Sequence, residues 1–169
     1  MGNAPGEDVT LTPPEIWERL ERVPGPGGSL WDPCPHPWTR DGLTEEWPHA
    51  PGQVDYCNPP FSALHAWSSR CGEYAERGRT VIALVPCRTS QPYWRVLNEH
   101  ANTVAYWTGD KDIGGAIPRR IRFLTRDGRR MAGAPFDAAL FLLTTDLEHR
   151  ARFRAAFADV STIVTLRRS

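Results

Sequence analysis

Apolar positions along this chain fall into alternating helical and strand-like blocks. Ile16, Leu20 and Val23 recur at helical spacing behind Thr12-Pro13-Pro14-Glu15, a capping-box pattern with proline opening the helix. Residues 24–28 end that short helix, and residues 29–33 predict a short buried strand carrying Asp32 at its carboxyl end. A stretch rich in Pro and Trp runs on to about Gly52. Residues 54–57 predict a second strand, and Ser62 is placed to cap a helix built on Leu64, Trp67, Cys71, Tyr74 and Ala75 and stopped by Gly78. Residues 80–86 are almost wholly apolar, as in a central parallel strand. A helix over about 90–101 and a strand over 103–107 follow. This alternation predicts a three-layer α/β fold with a mostly parallel sheet. Beyond it, residues 119–125, Asp127-Gly128 and residues 129–131 predict an antiparallel hairpin toward the C-terminus. Another buried strand (136–143), an Ala/Arg-rich helix (147–158) and a last strand (162–166) complete the pattern.

Length and charge narrow this picture. A chain of 169 residues suffices for one core, so residues 10–169 read as a single domain and the polar residues 1–9 as a disordered or flexible N-terminus. Lys plus Arg number 20, as do Asp plus Glu, so no global positive field draws the protein to nucleic acid. Any such contact must come from a local patch. The N-terminus has no basic start followed by an apolar run, and the longest apolar stretches are only strand-length. A soluble, cytoplasmic protein with no membrane contact is expected. Cys34, Cys57, Cys71 and Cys87 form no C-x-x-C pair, and Cys34 with His36 is the only near-pair, which predicts free buried or half-buried thiols and no metal. No histidine pairs with Ser or Cys at a strand end, so nucleophilic catalysis has no support.

The candidate chemistry sits at Asn58-Pro59-Pro60-Phe61, directly after the second strand. Ligands of open α/β sheets sit beyond the carboxyl ends of the strands. An exocyclic amine conjugated to an aromatic ring is a poor nucleophile because its lone pair is delocalised. Two acceptors, the Asn58 side-chain carbonyl and the Pro59 backbone carbonyl, would hold its two hydrogens and localise that lone pair. The flanking prolines offer no N–H and restrict the backbone, fixing the carbonyl between them. Phe61 offers a flat face on which an extruded base would stack. The plain alternative is a tight turn after a strand.

With its companions, this motif resembles the small phage-type DNA adenine-amino methyltransferases (Dam-like). The likeness runs from about Thr10 to Leu143. It takes in Thr12-Pro13, Asp32-Pro33-Cys34, Asp41-Gly42-Leu43 with Trp47, and Tyr56-Cys57-Asn58-Pro59-Pro60-Phe61-Ser62. It continues through Leu84-Val85-Pro86-Cys87-Arg88-Thr89 with Trp94, Ile121-Arg122-Phe123 and Ala134-Pro135-Phe136. The resemblance implies a Rossmann-like methyltransferase fold, S-adenosylmethionine as methyl donor, and the cytoplasm of a bacterial or phage-infected cell. It also implies donor contacts from Thr12, Pro13, Asp32, Asp41 and Asn58, although Asp41 reads equally as a loop residue of an ordinary turn. No Gly-rich loop follows Asp32, a departure from the wider methyltransferase superfamily.

Double-stranded DNA, met by a monomer or homodimer, is the implied partner. Between residues 111 and 133 lie Lys111, Arg119, Arg120, Arg122, Arg126, Arg129 and Arg130, offset only by Asp112 and Asp127. An arginine-bearing hairpin suits phosphate contact, or is simply a charged edge that resists aggregation. Arg122 alternates with Ile121 and Phe123 and would turn into the cleft, which Arg88 and Thr89 would also line. Trp38 and Trp47 are candidates to cover the donor pocket; core packing accounts for most of the other tryptophans. The alternatives are a cytosine-amino or protein-glutamine methyltransferase, against which Asn58 and the missing loop weigh, or an inactive DNA-binding module of the same fold.

Overall fold

The computed structural model describes residues 10–109 and 120–166. The expected flexible N-terminus, Lys111 and Arg119 lie outside the described residues. Strands β1 (Leu30–Trp31), β2 (Val54–Cys57), β3 (Thr80–Pro86), β4 (Thr103–Trp107), β5 (Ala138–Leu143) and β6 (Ser161–Thr165) form one sheet in the order β1-β2-β3-β5-β4-β6. Between them run helices α1 (Pro14–Leu20), α2 (Leu64–Glu76), α3 (Pro92–His100) and α4 (Leu147–Phe157).

β3 is apolar apart from Thr80 at its start because both of its faces are covered. Ile82 and Leu84 pack with Ile16 and Leu20 of α1 and with Phe153 and Phe157 of α4. Val81, Ala83 and Val85 point the other way, into Trp67, Cys71 and Tyr74 of α2 and Trp94 and Leu97 of α3. Cys57 and Cys71 are buried and Cys34 and Cys87 half-buried, all free thiols as expected. Among the described residues no helix is long and apolar enough to cross a membrane.

The sheet is mixed, which corrects the expectation of a mostly parallel one. β1 with β2 and β2 with β3 run parallel, but β3 with β5, β4 with β5 and β4 with β6 run antiparallel. An apolar run reports burial and not direction. Direction follows from the connection, and a parallel return needs a crossover, usually a helix. The described residues between β4 and β5 contain none.

The predicted hairpin exists but stands outside the sheet. Thr125 N–H donates to Arg129 O and Met131 N–H to Phe123 O, each at 2.8 Å, around a turn closed by Gly128 at φ +81°. Only glycine adopts that angle without strain. Leu124 bridges Arg130 on one side and Leu11 on the other, while Ile121 and Phe123 enter the core beside α1.

Three local expectations change. Thr12 does not cap α1: the N-cap is Pro13 with no side-chain bond, Pro14 opens the helix, and the Thr12 hydroxyl turns instead to Tyr56. Ser62 lies inside a 3₁₀ turn over Phe61–Ala63 and so cannot cap α2, whose N-cap is Ala63. β1 is two half-buried residues, because it is the sheet's edge with one neighbour.

At the amino edge of the sheet, polar groups close on one another. Asp55 of β2, fully buried, accepts from Arg79 at 2.6 Å and from Gln53 at 2.7 Å. Arg79 also donates to the carbonyls of Trp47 and Pro48 and lies over the Tyr74 ring. Beside them the Thr80 hydroxyl bonds Thr144 at 2.6 Å and His149 Nδ1 at 2.8 Å.

Candidate active site at the carboxyl edge

Three parallel strands end side by side, so Asp32 after β1, Asn58 after β2 and Cys87-Arg88 after β3 share one edge of the sheet. β5 runs the other way and therefore begins at that edge. Its approach is bonded there by Cys87 N–H donating to Asp137 O at 2.7 Å. Phe136 thus arrives beside Phe61, and the rings meet edge to face with centroids 4.9 Å apart. Phe123 of the hairpin lies against Phe136 at 6.0 Å. Phe136 was among the residues that carried the resemblance, but only the antiparallel direction of β5 reveals its place.

Asn58 is half-buried, and its carboxamide is held in one orientation. Its Nδ2 donates to Thr10 O at 2.7 Å and lies 3.4 Å from Thr12 Oγ1. A backbone carbonyl can only accept, so the amide nitrogen must face Thr10 and Oδ1 must face away. Among the described residues no donor meets Asn58 Oδ1 or Pro59 O, whereas Pro60 O accepts from Ala63 N–H at 3.0 Å. Two adjacent acceptors therefore stand open at the strand end. Pro59 and Pro60 are buried, and Phe61 is half-buried.

Tyr56 and Thr10, to which the sequence reading gave no role, support this arrangement. The Tyr56 hydroxyl is 2.6 Å from Thr12 Oγ1, and the Tyr56 ring packs edge-on against Trp17. Burial holds the Tyr56 phenol well above its ordinary pKa, so it stays protonated, although its bond to Thr12 pulls the other way. Pro13 is buried at the start of α1. Thr12 shares the edge with Asp32 only indirectly, through Tyr56, whose titration feels the Asp32 charge.

Asp32 is half-buried, and its Oδ1 accepts from Cys34 N–H at 2.7 Å. Burial raises its carboxyl to about 6, against the Cys34 hydrogen bond and the charge of Arg40. No partner for Oδ2 lies among the described residues. Asp41 is different. It is exposed, and its carboxylate closes its own turn by accepting from Leu43 N–H at 3.1 Å and Thr44 Oγ1 at 2.9 Å. Trp47 is no lid: it is buried, stacked on Tyr74 at 4.1 Å, and donates from Nε1 to Gly42 O. Trp38 is 45% exposed.

Among the described residues, three arginines of the basic patch are paired. Arg130 makes a bidentate bond to Glu15 at 2.5 and 3.1 Å, Arg129 pairs with Asp127 at 2.6 Å, and Arg120 with Asp137 at 3.1 Å. Arg122 is exposed and within the field of Glu15, because Ile121 and Phe123 occupy the inward positions on either side of it. It is not turned into the core-side cleft. Arg88 and Thr89 are exposed just past β3, and Arg88 forms no ion pair among the described residues. Arg126 reaches across to His36 Nε2 at 3.3 Å, joining the hairpin to the Pro-rich segment.

A family model described as DNA N-6-adenine-methyltransferase (Dam) matches residues 36–165, well over half of the chain. That match takes in Asn58–Phe61 and the hairpin, and it begins after Thr12 and Asp32. Neither the curated proteins nor the solved structures contain a match.

Proposed function

The chain belongs to the DNA N-6-adenine-methyltransferase (Dam) family, and on that premise we propose that it methylates the 6-amino group of adenine in double-stranded DNA. The methyl comes from S-adenosylmethionine, by direct in-line attack of the amine of a flipped-out base. One observation carries the reading: Asn58 Oδ1 and Pro59 O are neighbouring acceptors that meet no donor among the described residues, at the carboxyl edge of the sheet. An adenine amine has two hydrogens to give them. Both bonds draw the nitrogen lone pair out of conjugation with the ring, so they strengthen as the amine becomes the nucleophile. Phe61, braced edge-on by Phe136, supplies the face on which the extruded base stacks.

The residues at the edge fit the donor in part. Asp32, half-buried with no partner for Oδ2 among the described residues, suits the ammonium or ribose hydroxyls of the donor, and a cation there draws its pKa down from about 6. Asp41, closed in its own turn, is a weaker contact. When bound, the donor supplies an electrophilic methyl on a sulfonium. A Rossmann-like arrangement is supported by the helices on both faces of the sheet and by the site's position beyond the parallel strand ends. For DNA, Arg88, Arg122 and Arg126, which form no ion pair among the described residues, are the phosphate contacts, and Arg120, Arg129 and Arg130 exchange their partners on binding.

The test is calorimetric binding of S-adenosylmethionine to the wild-type protein, followed by transfer of labelled methyl to unmethylated DNA. Labelled N6-methyladenine is the expected product. Donor binding with no adenine labelled in any DNA would sink the reading.

A further inference from the structure

Residues 10–12 form a single extended segment with two sets of bonds. On one side Leu11 exchanges both backbone hydrogen bonds with Leu124 of the arginine hairpin, at 2.9 and 3.0 Å. On the other side its neighbours Thr10 and Thr12 hold the Asn58 carboxamide, through the Thr10 carbonyl at 2.7 Å and the Thr12 hydroxyl at 3.4 Å. The Thr12 hydroxyl is itself anchored by Tyr56 at 2.6 Å.

An asparagine at a methylation site has two faces of nearly equal shape and opposite chemistry. With Oδ1 toward the base it accepts a hydrogen of the amine; with NH₂ toward the base it repels that amine. Thr10 O favours the first orientation, because a carbonyl only accepts. The NH₂ has two hydrogens, and Thr12 Oγ1, 3.4 Å from the same nitrogen, stands as the second acceptor. A hydroxyl both donates and accepts, so Thr12 acts by where it stands. Its 2.6 Å bond to the buried Tyr56 fixes it there.

We propose that Thr12, backed by Tyr56, is a positioning residue for methyl transfer that sets the orientation of Asn58, and is not a contact of the methyl donor. The proposal rests on the reading of Asn58 given above.

Thr12→Val removes the hydroxyl and keeps the shape; Thr12→Ser restores the hydroxyl; Tyr56→Phe leaves Thr12 without its anchor. Steady-state transfer with unmethylated DNA, donor calorimetry and thermal melts are measured for each. Thr12→Val should lower kcat about tenfold, the size of one neutral hydrogen bond. Its S-adenosylmethionine Kd should stay within about twofold and its Tm within a few degrees. Tyr56→Phe should lower kcat less, and Thr12→Ser should recover most of the wild-type rate. A parallel loss in donor affinity, or an unchanged kcat, overturns the assignment. A second readout needs no activity: the Asn58 side-chain NH₂ resonances, identified by their loss in Asn58→Ala, should exchange with solvent several-fold faster in Thr12→Val. If wild type labels no adenine, the proposed function fails while this exchange still decides the role of Thr12. Equal exchange in wild type and Thr12→Val refutes it.

Discussion

The two edges of the sheet use similar polar residues to opposite ends. At the amino edge Asp55 accepts from Arg79 and Gln53 through one oxygen and Thr80 bonds both Thr144 and His149, while Asp55 Oδ2 and Arg79 Nε stay buried without a hydrogen-bond partner among the described residues. At the carboxyl edge Asn58 is fastened through its nitrogen only, and its oxygen, the Pro59 carbonyl and one oxygen of Asp32 meet no donor among the described residues. Burying a polar group without a partner is costly. At the buried amino edge the opposite charges of Asp55 and Arg79 offset that cost inside the fold; at the half-buried carboxyl edge the open acceptors stand where an incoming donor can reach them.

Four experiments sharpen or break that contrast. The largest effect should come from Asn58→Ala, which lowers methyl transfer by at least about a hundredfold while S-adenosylmethionine affinity changes little. Equal loss of both would assign Asn58 to the donor instead. Next, Asp55→Ala strands a buried guanidinium and should cost about 3–5 kcal/mol of stability, read as a shifted denaturant midpoint. Transfer by the fraction still folded should be unchanged; a specific loss of kcat would place Asp55 in the site. Phe61→Ala removes one stacking face worth about 1–3 kcal/mol, so KM for DNA should rise with donor affinity kept.

The smallest effect is the pH dependence of Asp32. Its pKa is raised on folding from 3.8 to about 6, mainly by burial, so the native state keeps a proton that the unfolded state gives up. Stability from this group is fully present below about pH 4 and is lost as pH rises through about 6. Donor affinity should move oppositely, falling about tenfold per unit below pH 6 as the carboxylate is neutralised. Asp32→Asn should flatten that slope. A slope surviving in the variant would remove Asp32 from the donor site.

What the sequence made legible follows from range. Val54–Cys57, Thr80–Pro86 and Thr103–Trp107 were readable to the residue, because short, mainly apolar and β-branched or aromatic runs bounded by Gly, Pro and Asn mark strands locally. The candidate Asn58–Phe61 was readable from its local composition. Strand direction was not, since Ala138–Leu143 looks the same run either way. The arginines read as one patch because their partners Glu15 and Asp137 are distant or across a loop. Thr12 read as a helix cap because Thr-x-x-Glu satisfies that pattern locally, while its bond to Tyr56 spans 44 residues.

The placement of β5 has a consequence for when the protein can act. A ribosome that has released the chain through β4 has already made Asn58, Asp32 and Phe61, but not Phe136. Until β5 emerges, β3 and β4 lack the strand that lies between them. The last piece of the proposed base-receiving surface therefore arrives with the strand that closes the sheet. Assembly of the fold and completion of the candidate site become one event.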